Sequence, residues 1–111
     1  MTEIKRIGIG PRMSDAVIHG GTVYLAGQVA DDPSADVKGQ TQQVLDAIDR
    51  LLAQAHSDKT KILQAQIFLA NIADFAAMNE VWDAWVPAGH TPARATVEAK
   101  LATPKYLVEI K

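Results

Sequence analysis

Alternating apolar and polar residues indicate β-structure in the first part of the chain. Residues 3–9 alternate loosely and are followed by glycine and proline, which predicts an edge strand that ends in a turn. Residues 16–19 and 22–26 are two further β-prone runs, and the Gly20-Gly21 pair between them suits a tight two-residue turn. The pattern therefore predicts a β-hairpin after the edge strand.

The middle of the chain changes to helical spacing and then back to alternation. Apolar residues from Val44 to Ala55 recur every three or four positions, which predicts an amphipathic helix, with Ser34 or Asp36 able to cap its start. Residues 61–69 alternate again and predict a strand. The apolar face of that strand comprises Leu63, Ala65, Ile67 and Leu69. A second helix follows, and its stripe at spacings of three and four is expected to be core: Phe75, Met78, Trp82 and Trp85.

Two predicted strands end the chain. The first presents Arg94, Thr96 and Glu98 on one face, and the last covers residues 106–111. The element order is β, β, β, α, β, α, β, β, in which helical connections are expected to join parallel neighbours and a hairpin-like return is expected at the end. We predict one α+β domain over residues 1–111, a single mixed sheet with both helices on one face.

The other face of that sheet is expected to be bare in a single chain. Its predicted lining mixes small and polar residues and suits neither a finished monomer surface nor a core: Gln64, Gln66, Thr96, Glu98 and Glu109. We infer a closed homo-oligomer that covers the sheet, with sites in the clefts between subunits.

Composition narrows the kind of partner. The net charge is −2, the pI is near 5.8, and lysine and arginine are scattered, so no nucleic-acid partner is expected. No apolar run approaches the roughly 20 residues that span a bilayer, and the start lacks a signal peptide, which predicts a cytoplasmic protein without membrane contact. The chain has no cysteine and three isolated histidines, so neither a metal nor a cofactor is predicted. A small molecule is the expected partner.

Arg94 and Glu109 offer the best chemistry in the sequence. An arginine on a strand just after a Pro-bounded turn can hold a carboxylate through two hydrogen bonds, although a surface ion pair is the plainer alternative. Glu109 lies on the other terminal strand, and the same-face pattern is expected to bring both side chains into one cleft, where the carboxylate can orient a water molecule. Such a site suits only reactive substrates. A Glu98–Glu109 pair for glycoside hydrolysis is a weaker alternative.

Motifs spread over nearly the whole chain resemble one known family. They are Gly10-Pro11, Val23-Tyr24-Leu25-Ala26-Gly27-Gln28, Ala73-Asp74-Phe75 with Asn79-Glu80-Val81, Pro92-Ala93-Arg94-Ala95-Thr96-Val97-Glu98 and Leu107-Val108-Glu109-Ile110. In this combination they resemble the RidA family, also called the YjgF/YER057c/UK114 family. The resemblance implies a chorismate-mutase-like α+β fold that assembles as a homotrimer with sites at the subunit interfaces.

The resemblance also implies an activity and a set of site residues. The activity is hydrolysis of 2-imino or 2-enamino acids, such as 2-iminopropanoate and 2-iminobutanoate, to 2-keto acids and ammonia. By the resemblance, Arg94 binds the substrate carboxylate together with the backbone N–H of Gly27. Glu109 positions the water, and Asn79 lies near the pocket.

Three positions depart from the pattern of the best-known deaminases. This chain has Arg12 where they commonly have Tyr, Ala26 where they have Ser, and Thr96 where they have Cys. Thr96 keeps a small polar group in the pocket, whereas Ala26 loses a hydroxyl. Arg12 adds a cation near the expected mouth, which favours a more acidic substrate or closes the site by pairing with Glu98 or Glu109.

Three functions remain open at the level of sequence. The first is an imine/enamine deaminase that acts in the control of metabolite damage. The second is a non-catalytic trimer whose clefts bind a keto or amino acid. The third is a pathway-specific hydrolase of another labile nitrogen compound, such as an aminoacrylate. The names endoribonuclease and translation inhibitor are also attached to the family, but the acidic composition does not favour RNA.

Overall fold

The computed structural model describes residues 3–111, which form six strands and two α-helices. The strands are β1 Lys5–Ile7, β2 Ala16–His19, β3 Thr22–Leu25, β4 Gln64–Leu69, β5 Ala93–Glu98 and β6 Val108–Ile110. The helices are α1 Val37–Gln54, between β3 and β4, and α2 Phe75–Trp85, between β4 and β5. The element order is the one that the sequence predicts.

The strands form two three-stranded ladders that a single bridge joins. One ladder has the order β1-β2-β3 and is antiparallel throughout. The other has the order β5-β4-β6, in which β4 runs parallel to β5 and antiparallel to β6. Gln28, just after β3, pairs with Ile110 through two backbone hydrogen bonds of 2.8 and 3.1 Å. The sheet is therefore mixed, as predicted.

The turn between β2 and β3 confirms the predicted hairpin. Gly20 and Gly21 both have positive φ angles, 59° and 79°. These angles are strained for residues with a Cβ atom, and they give a two-residue turn whose twist matches that of the strands. The Gly-Gly pair thus sets the register in which Val17 faces Tyr24.

The predicted hairpin return at the end of the chain is wrong, because β6 pairs with β4 rather than with β5. The buried amide of Gln40 on α1 explains the path of the connection. Its nitrogen donates to Lys105 O at 3.1 Å, and its oxygen accepts from Leu107 N at 2.9 Å. These two bonds fix the segment between β5 and β6 against α1, just before β6 begins. The predicted parallel pairing across a helix holds for β4 and β5 but not for β3 and β4, since β6 lies between them.

Both helices pack on one face of the sheet, where the core lies. Ala65, Ile67 and Leu69 of β4 are buried there together with Val108 and Ile110 of β6. The helices contribute Val44, Leu45, Ile48, Leu52, Met78, Trp82 and Trp85 to the same cluster. Complete burial of such side chains stabilises a fold by roughly 1.5–3 kcal/mol each, so this single cluster accounts for the α+β packing.

The start of α1 selects one of the two predicted caps, whereas the start of β4 differs from the prediction. Helix α1 begins at Val37, before the first apolar repeat, because the Asp36 side chain accepts a hydrogen bond from Gly39 N at 2.9 Å. The predicted strand over residues 61–69 begins only at Gln64, after a 3₁₀ turn over Lys59–Lys61. Leu63 therefore lies outside the apolar face and is 78% exposed.

The register corrects the predicted lining of the bare face. Arg94, Thr96 and Glu98 pair with Ala65, Ile67 and Leu69, so they point towards the helices. Directly paired residues share a face, and Glu109 pairs with Phe68, on the opposite side. The open face, as we call it below, therefore carries Gln64, Gln66 and Phe68 of β4, Ala95 and Val97 of β5, and Glu109 of β6.

Candidate functional site

Arg94 lies on the edge strand β5 and turns its side chain towards α2. Its Nη1 donates a hydrogen bond to Asn79 Oδ1 at 2.8 Å, and its guanidinium carbon lies 5.7 Å from the ring centroid of Phe75 and 5.2 Å from that of Trp82. The side chain is half-buried. Within residues 3–111 the salt bridges are Lys38–Glu80 and Lys61–Asp58, and neither involves Arg94. Its remaining N–H groups can therefore receive a carboxylate in the bidentate geometry that suits guanidinium.

The helical repeat of α2 explains how these contacts arise. Phe75, Asn79 and Trp82 are separated by four and three positions and so share one stripe of the helix. The sequence predicts this aromatic stripe as core, which is confirmed for Trp82 but not for Phe75, whose exposure is 42%. Asn79 is polar and lies in an otherwise apolar stripe. This exception in the sequence could have predicted that the stripe contacts a charged side chain.

Thr96 stands one strand repeat beyond Arg94 on the same face. Its hydroxyl oxygen is buried and has no hydrogen-bond partner among the described residues. A buried polar group without a partner costs about 1–3 kcal/mol. Arg94 and Thr96 thus form a short row on β5 that can offer several donors to one small polar ligand.

Gly27 and Glu109 form a second group, on the open face. A Cβ atom on Gly27 would collide with the carboxylate of Glu109, so the side chain of Glu109 lies directly over the Gly27 backbone. The sequence predicts Gly27 as a point where the backbone approaches a ligand; in the structure the close neighbour is Glu109. Only glycine allows this approach without displacing the carboxylate.

Within one chain the two groups do not meet. Arg94 and Glu109 lie on opposite faces of the sheet, on strands that flank β4. The expectation that the terminal strands bring both side chains into one cleft is therefore wrong for a single chain. Glu98 and Glu109 lie on opposite faces in the same way, so they form no carboxylate pair within a single chain. Glu98 accepts a 3.0 Å hydrogen bond from Ile72 N.

Arg12 forms no ion pair with either group within residues 3–111. It is exposed on the connection between β1 and β2, where Gly10 N donates to Met13 O at 2.8 Å. The predicted pairing of Arg12 with Glu98 or Glu109 does not occur within residues 3–111. Arg12 therefore neither closes nor contacts the Arg94 row in this structure.

A cavity lies elsewhere in the described part of the molecule. It has a volume of about 690 Å³ and opens between β3 and the segment 61–66. Trp82 and Trp85 contribute to its wall, but Arg94, Thr96, Gly27 and Glu109 do not line it.

No group of three or more His, Cys, Asp or Glu side chains close enough to bind a metal ion together is found in the described part of the chain. Within the same residues, no helix combines the length and apolar character needed to cross a lipid bilayer.

Comparison with known proteins establishes the family. The family model described as Endoribonuclease L-PSP matches residues 4–111. The chain belongs to the RidA/YjgF family. Among curated RidA/YjgF relatives, the RutC family protein YoaB of Escherichia coli strain K12 is 53% identical over 108 residues, which cover 97% of this chain and 94% of the relative. A RutC family protein of Haemophilus ducreyi is 49% identical over 107 residues, covering 96% and 92%.

Solved structures agree with this assignment. The crystal structure of NMB1025 from Neisseria meningitidis, a member of the YjgF protein family, superposes with a TM-score of 0.95 at 49% identity and covers 97% of this chain and 90% of its own. An uncharacterized protein from Pseudomonas aeruginosa gives the same TM-score of 0.95 at 45% identity, covering 97% and 94%. The predicted family is thus confirmed, and the fold of this chain is that of its relatives.

Proposed function

We propose that this protein hydrolyses 2-imino and 2-enamino acids to 2-keto acids and ammonia, in clefts between copies of the chain. The observation that carries the proposal is the half-buried guanidinium of Arg94, which is held by Asn79 and has no carboxylate partner within residues 3–111. Membership of the RidA/YjgF family supports the substrate class.

The row on β5 would recognise the acid part of the substrate. Arg94 would bind the carboxylate through two parallel hydrogen bonds. The unpartnered hydroxyl of Thr96 would lie close to the bound acid and could satisfy its own hydrogen-bonding need there. Both groups stand on a strand, so a bound substrate would be held against a rigid surface.

The water-positioning group would come from a neighbouring copy. Glu109 lies on the opposite face of the sheet from Arg94, so one site that uses both needs two chains. Contact between different faces of identical subunits is head-to-tail, and three copies can close such contacts into a ring. We propose a homotrimer in which Glu109 and Gly27 of one copy face Arg94, Thr96 and Asn79 of the next.

The proposed reaction needs neither metal nor covalent nucleophile. A water oriented by Glu109 would add to the carbon of the C=N bond, and the carboxylate would take up the proton of that water. The carboxylate would pass that proton to the nitrogen, which gives a carbinolamine. The new hydroxyl would then lose its own proton, which the carboxylate would transfer to the amine, so that the C–N bond breaks, ammonia leaves and the keto group forms. Positioned acid–base help of this kind accelerates a reaction by about 10²–10⁴-fold, which suffices for a reactive imine.

The test is the rate of keto-acid release when an amino-acid dehydratase generates 2-iminobutanoate in the presence of the protein. We expect a rate above that in buffer for the wild type and for Arg50→Ala, a control at an exposed site on α1. Arg94→Ala and Glu109→Gln should remove the gain. An unaccelerated wild-type reaction would contradict the proposal.

A non-catalytic binding function is the second candidate, because Arg94 and Thr96 alone would be enough to hold a keto or amino acid. It predicts that 2-oxobutanoate binds and that Glu109→Gln binds it unchanged, with no acceleration of imine hydrolysis. Substituting 2-aminoacrylate for 2-iminobutanoate in the same assay tests a pathway-specific hydrolase. The endoribonuclease description of the family model finds no support in a chain with a net charge of −2.

A further inference from the structure

The guanidinium of Arg94 is held by aromatic rings as well as by a hydrogen bond. The centroids of Trp82 and Phe75 lie 5.2 and 5.7 Å from its central carbon, within the roughly 6 Å over which a cation is attracted to a ring face. Asn79 lies between these residues on the same stripe of α2 and accepts from Nη1. Three side chains of one helix therefore fix one side chain of a strand.

Trp82 is itself rigidly placed. It is 5% exposed, and its ring centroid lies 5.4 Å from that of Trp85, with the planes tilted by 50°. The indole N–H of Trp85 donates to Asp49 Oδ2 at 2.9 Å, which ties the pair to α1. Lys59 Nζ lies 5.0 Å from the ring centroid of Trp85 and donates to its backbone oxygen at 2.6 Å. The contacts of Trp85 thus fix the position of Trp82, and Trp82 in turn contacts Arg94.

We propose that Trp82 and Phe75 are positioning residues for the Arg94 carboxylate site, an inference that rests on the proposed function. Their rings hold the guanidinium on one side while Asn79 fixes its rotation, so the remaining N–H groups point at the incoming carboxylate. A long, flexible side chain must otherwise be ordered at the moment of binding, which weakens affinity. The rings contribute by ordering Arg94 beforehand and do not touch the substrate.

The placement also predicts a spectroscopic signature. Tryptophan occurs only twice in the chain, at positions 82 and 85. A carboxylate that binds Arg94 neutralises a cation beside one of these indoles and should change the intrinsic tryptophan emission. In Trp82→Phe the remaining indole lies one ring further from Arg94, so the response to ligand should be strongly reduced.

The experiment measures the Kd of 2-oxobutanoate by calorimetry and by tryptophan emission, together with kcat and KM in the dehydratase-coupled assay. We expect Trp82→Leu and Phe75→Leu to raise the Kd and KM by roughly 3- to 30-fold, the range that a lost cation–ring contact implies, with a smaller change in kcat. Trp82→Phe restores a ring face and should recover most of the affinity. Phe75 is 42% exposed, so its substitution tests the proposal even if Trp82→Leu does not fold.

Met78→Ala is the matched control, because Met78 is a fully buried α2 residue whose side chain belongs to the core rather than to the Arg94 contacts. It should lower the melting temperature and leave the Kd within about twofold of wild type, since the side chains that contact the guanidinium are those of Phe75, Asn79 and Trp82. An equal rise in Kd for Met78→Ala would show that the effect is general loss of packing and would overturn the proposal.

The outcomes separate this inference from the proposed function. If the wild type does not bind 2-oxobutanoate, or Arg94→Ala binds it equally well, both fail. If Arg94→Ala abolishes binding while Trp82→Leu and Phe75→Leu bind like wild type, the carboxylate site stands and the positioning role is wrong.

Discussion

A half-buried arginine and a threonine with a buried hydroxyl stand next to each other on one face of β5. Arg94 retains free N–H groups beside its one side-chain hydrogen bond, and Thr96 Oγ1 has no partner among the described residues. Buried polar groups without partners are rare in folded proteins and call for a specific explanation. Because both residues stand on one face of β5, one small ligand of the kind proposed above would contact both.

The contact between Gly27 and Glu109 can be tested by adding a single methyl group at position 27. Gly27→Ala would place a Cβ atom in the volume of the Glu109 carboxylate, which must then move. The carboxylate is the far end of a flexible side chain and can move at little cost in stability, so we expect loss of imine hydrolysis with little change in the melting temperature. Thermal denaturation and the dehydratase-coupled assay measure the two effects.

A neighbouring variant provides the control for that prediction. Ala26→Gly, one position earlier, adds no atom near Glu109 and should leave the activity within about twofold of wild type, since it displaces no carboxylate. Unchanged activity in Gly27→Ala would mean that the position of the carboxylate over the glycine does not matter for the reaction.

At the scale of elements, α2 and β5 carry Arg94 and the side chains that contact it. Helix α2 connects the parallel strands β4 and β5, and it packs beside β5, the strand that follows it. Glu98 at the end of β5 accepts from Ile72 N, just before α2, and Asn79 in the middle of α2 accepts from Arg94 at the start of β5. Two side-chain bonds therefore fix the strand against the helix at both ends.

Ser34 and Asp36 were the two predicted caps of α1, and substitution of each can show which one stabilises the helix. Asp36→Ala should reduce the free energy of unfolding by about 1 kcal/mol, because the Asp36 carboxylate accepts from Gly39 N at 2.9 Å. Ser34→Ala should cost less, because the Ser34 hydroxyl bonds only to the exposed Asp32 side chain. Urea denaturation of both variants makes the comparison, and equal losses would contradict the assignment of Asp36 as the cap.

At the scale of the whole molecule, the two halves of the proposed site lie on opposite faces of one sheet. The open face also exposes Val97, at 41%, on an edge strand that has β4 as its sheet neighbour. An exposed strand edge with apolar side chains is a common place for another chain to pack. The same arrangement explains why Arg94 and Glu109 do not meet within a single copy.

Complementation between inactive variants tests this arrangement. Arg94→Ala and Glu109→Gln should each be inactive, but chains co-expressed in equal amounts should regain about a quarter of the wild-type rate, because random head-to-tail pairing joins an intact Arg94 to an intact Glu109 at that frequency. The assay is keto-acid release by the purified mixed assembly, with its mass determined by light scattering.

The matched control combines both changes in one chain and co-expresses that chain with the wild type. If each site draws Arg94 and Glu109 from different copies, about a quarter of the sites are again intact. If both residues came from one copy, the control would retain about half of the activity and the two single variants would regain none. That result would place the site within one chain.

Much of the secondary structure and the family could be read from the sequence, because they depend on short-range patterns. Period-two and period-3.6 spacing predicted strands and helices near their observed positions, and Gly20-Gly21 predicted the hairpin. The motif around Arg94 and the closing Val-Glu-Ile pointed to the RidA/YjgF family, which comparison confirmed. Asp36 was one of two predicted caps, and a single hydrogen bond to Gly39 N selects it.

Tertiary structure alone decided which face each strand turns to the helices and which strands are neighbours. Alternation shows that Arg94, Thr96 and Glu98 share a face, but only pairing with β4 shows that this face is the one towards α2. Likewise, only the pairing of β6 with β4 shows that β6 lies on the side of β4 opposite to β5, and Gln40 on α1 binds the connection that leads there. Both outcomes depend on contacts between residues far apart in the chain, which local periodicity does not encode.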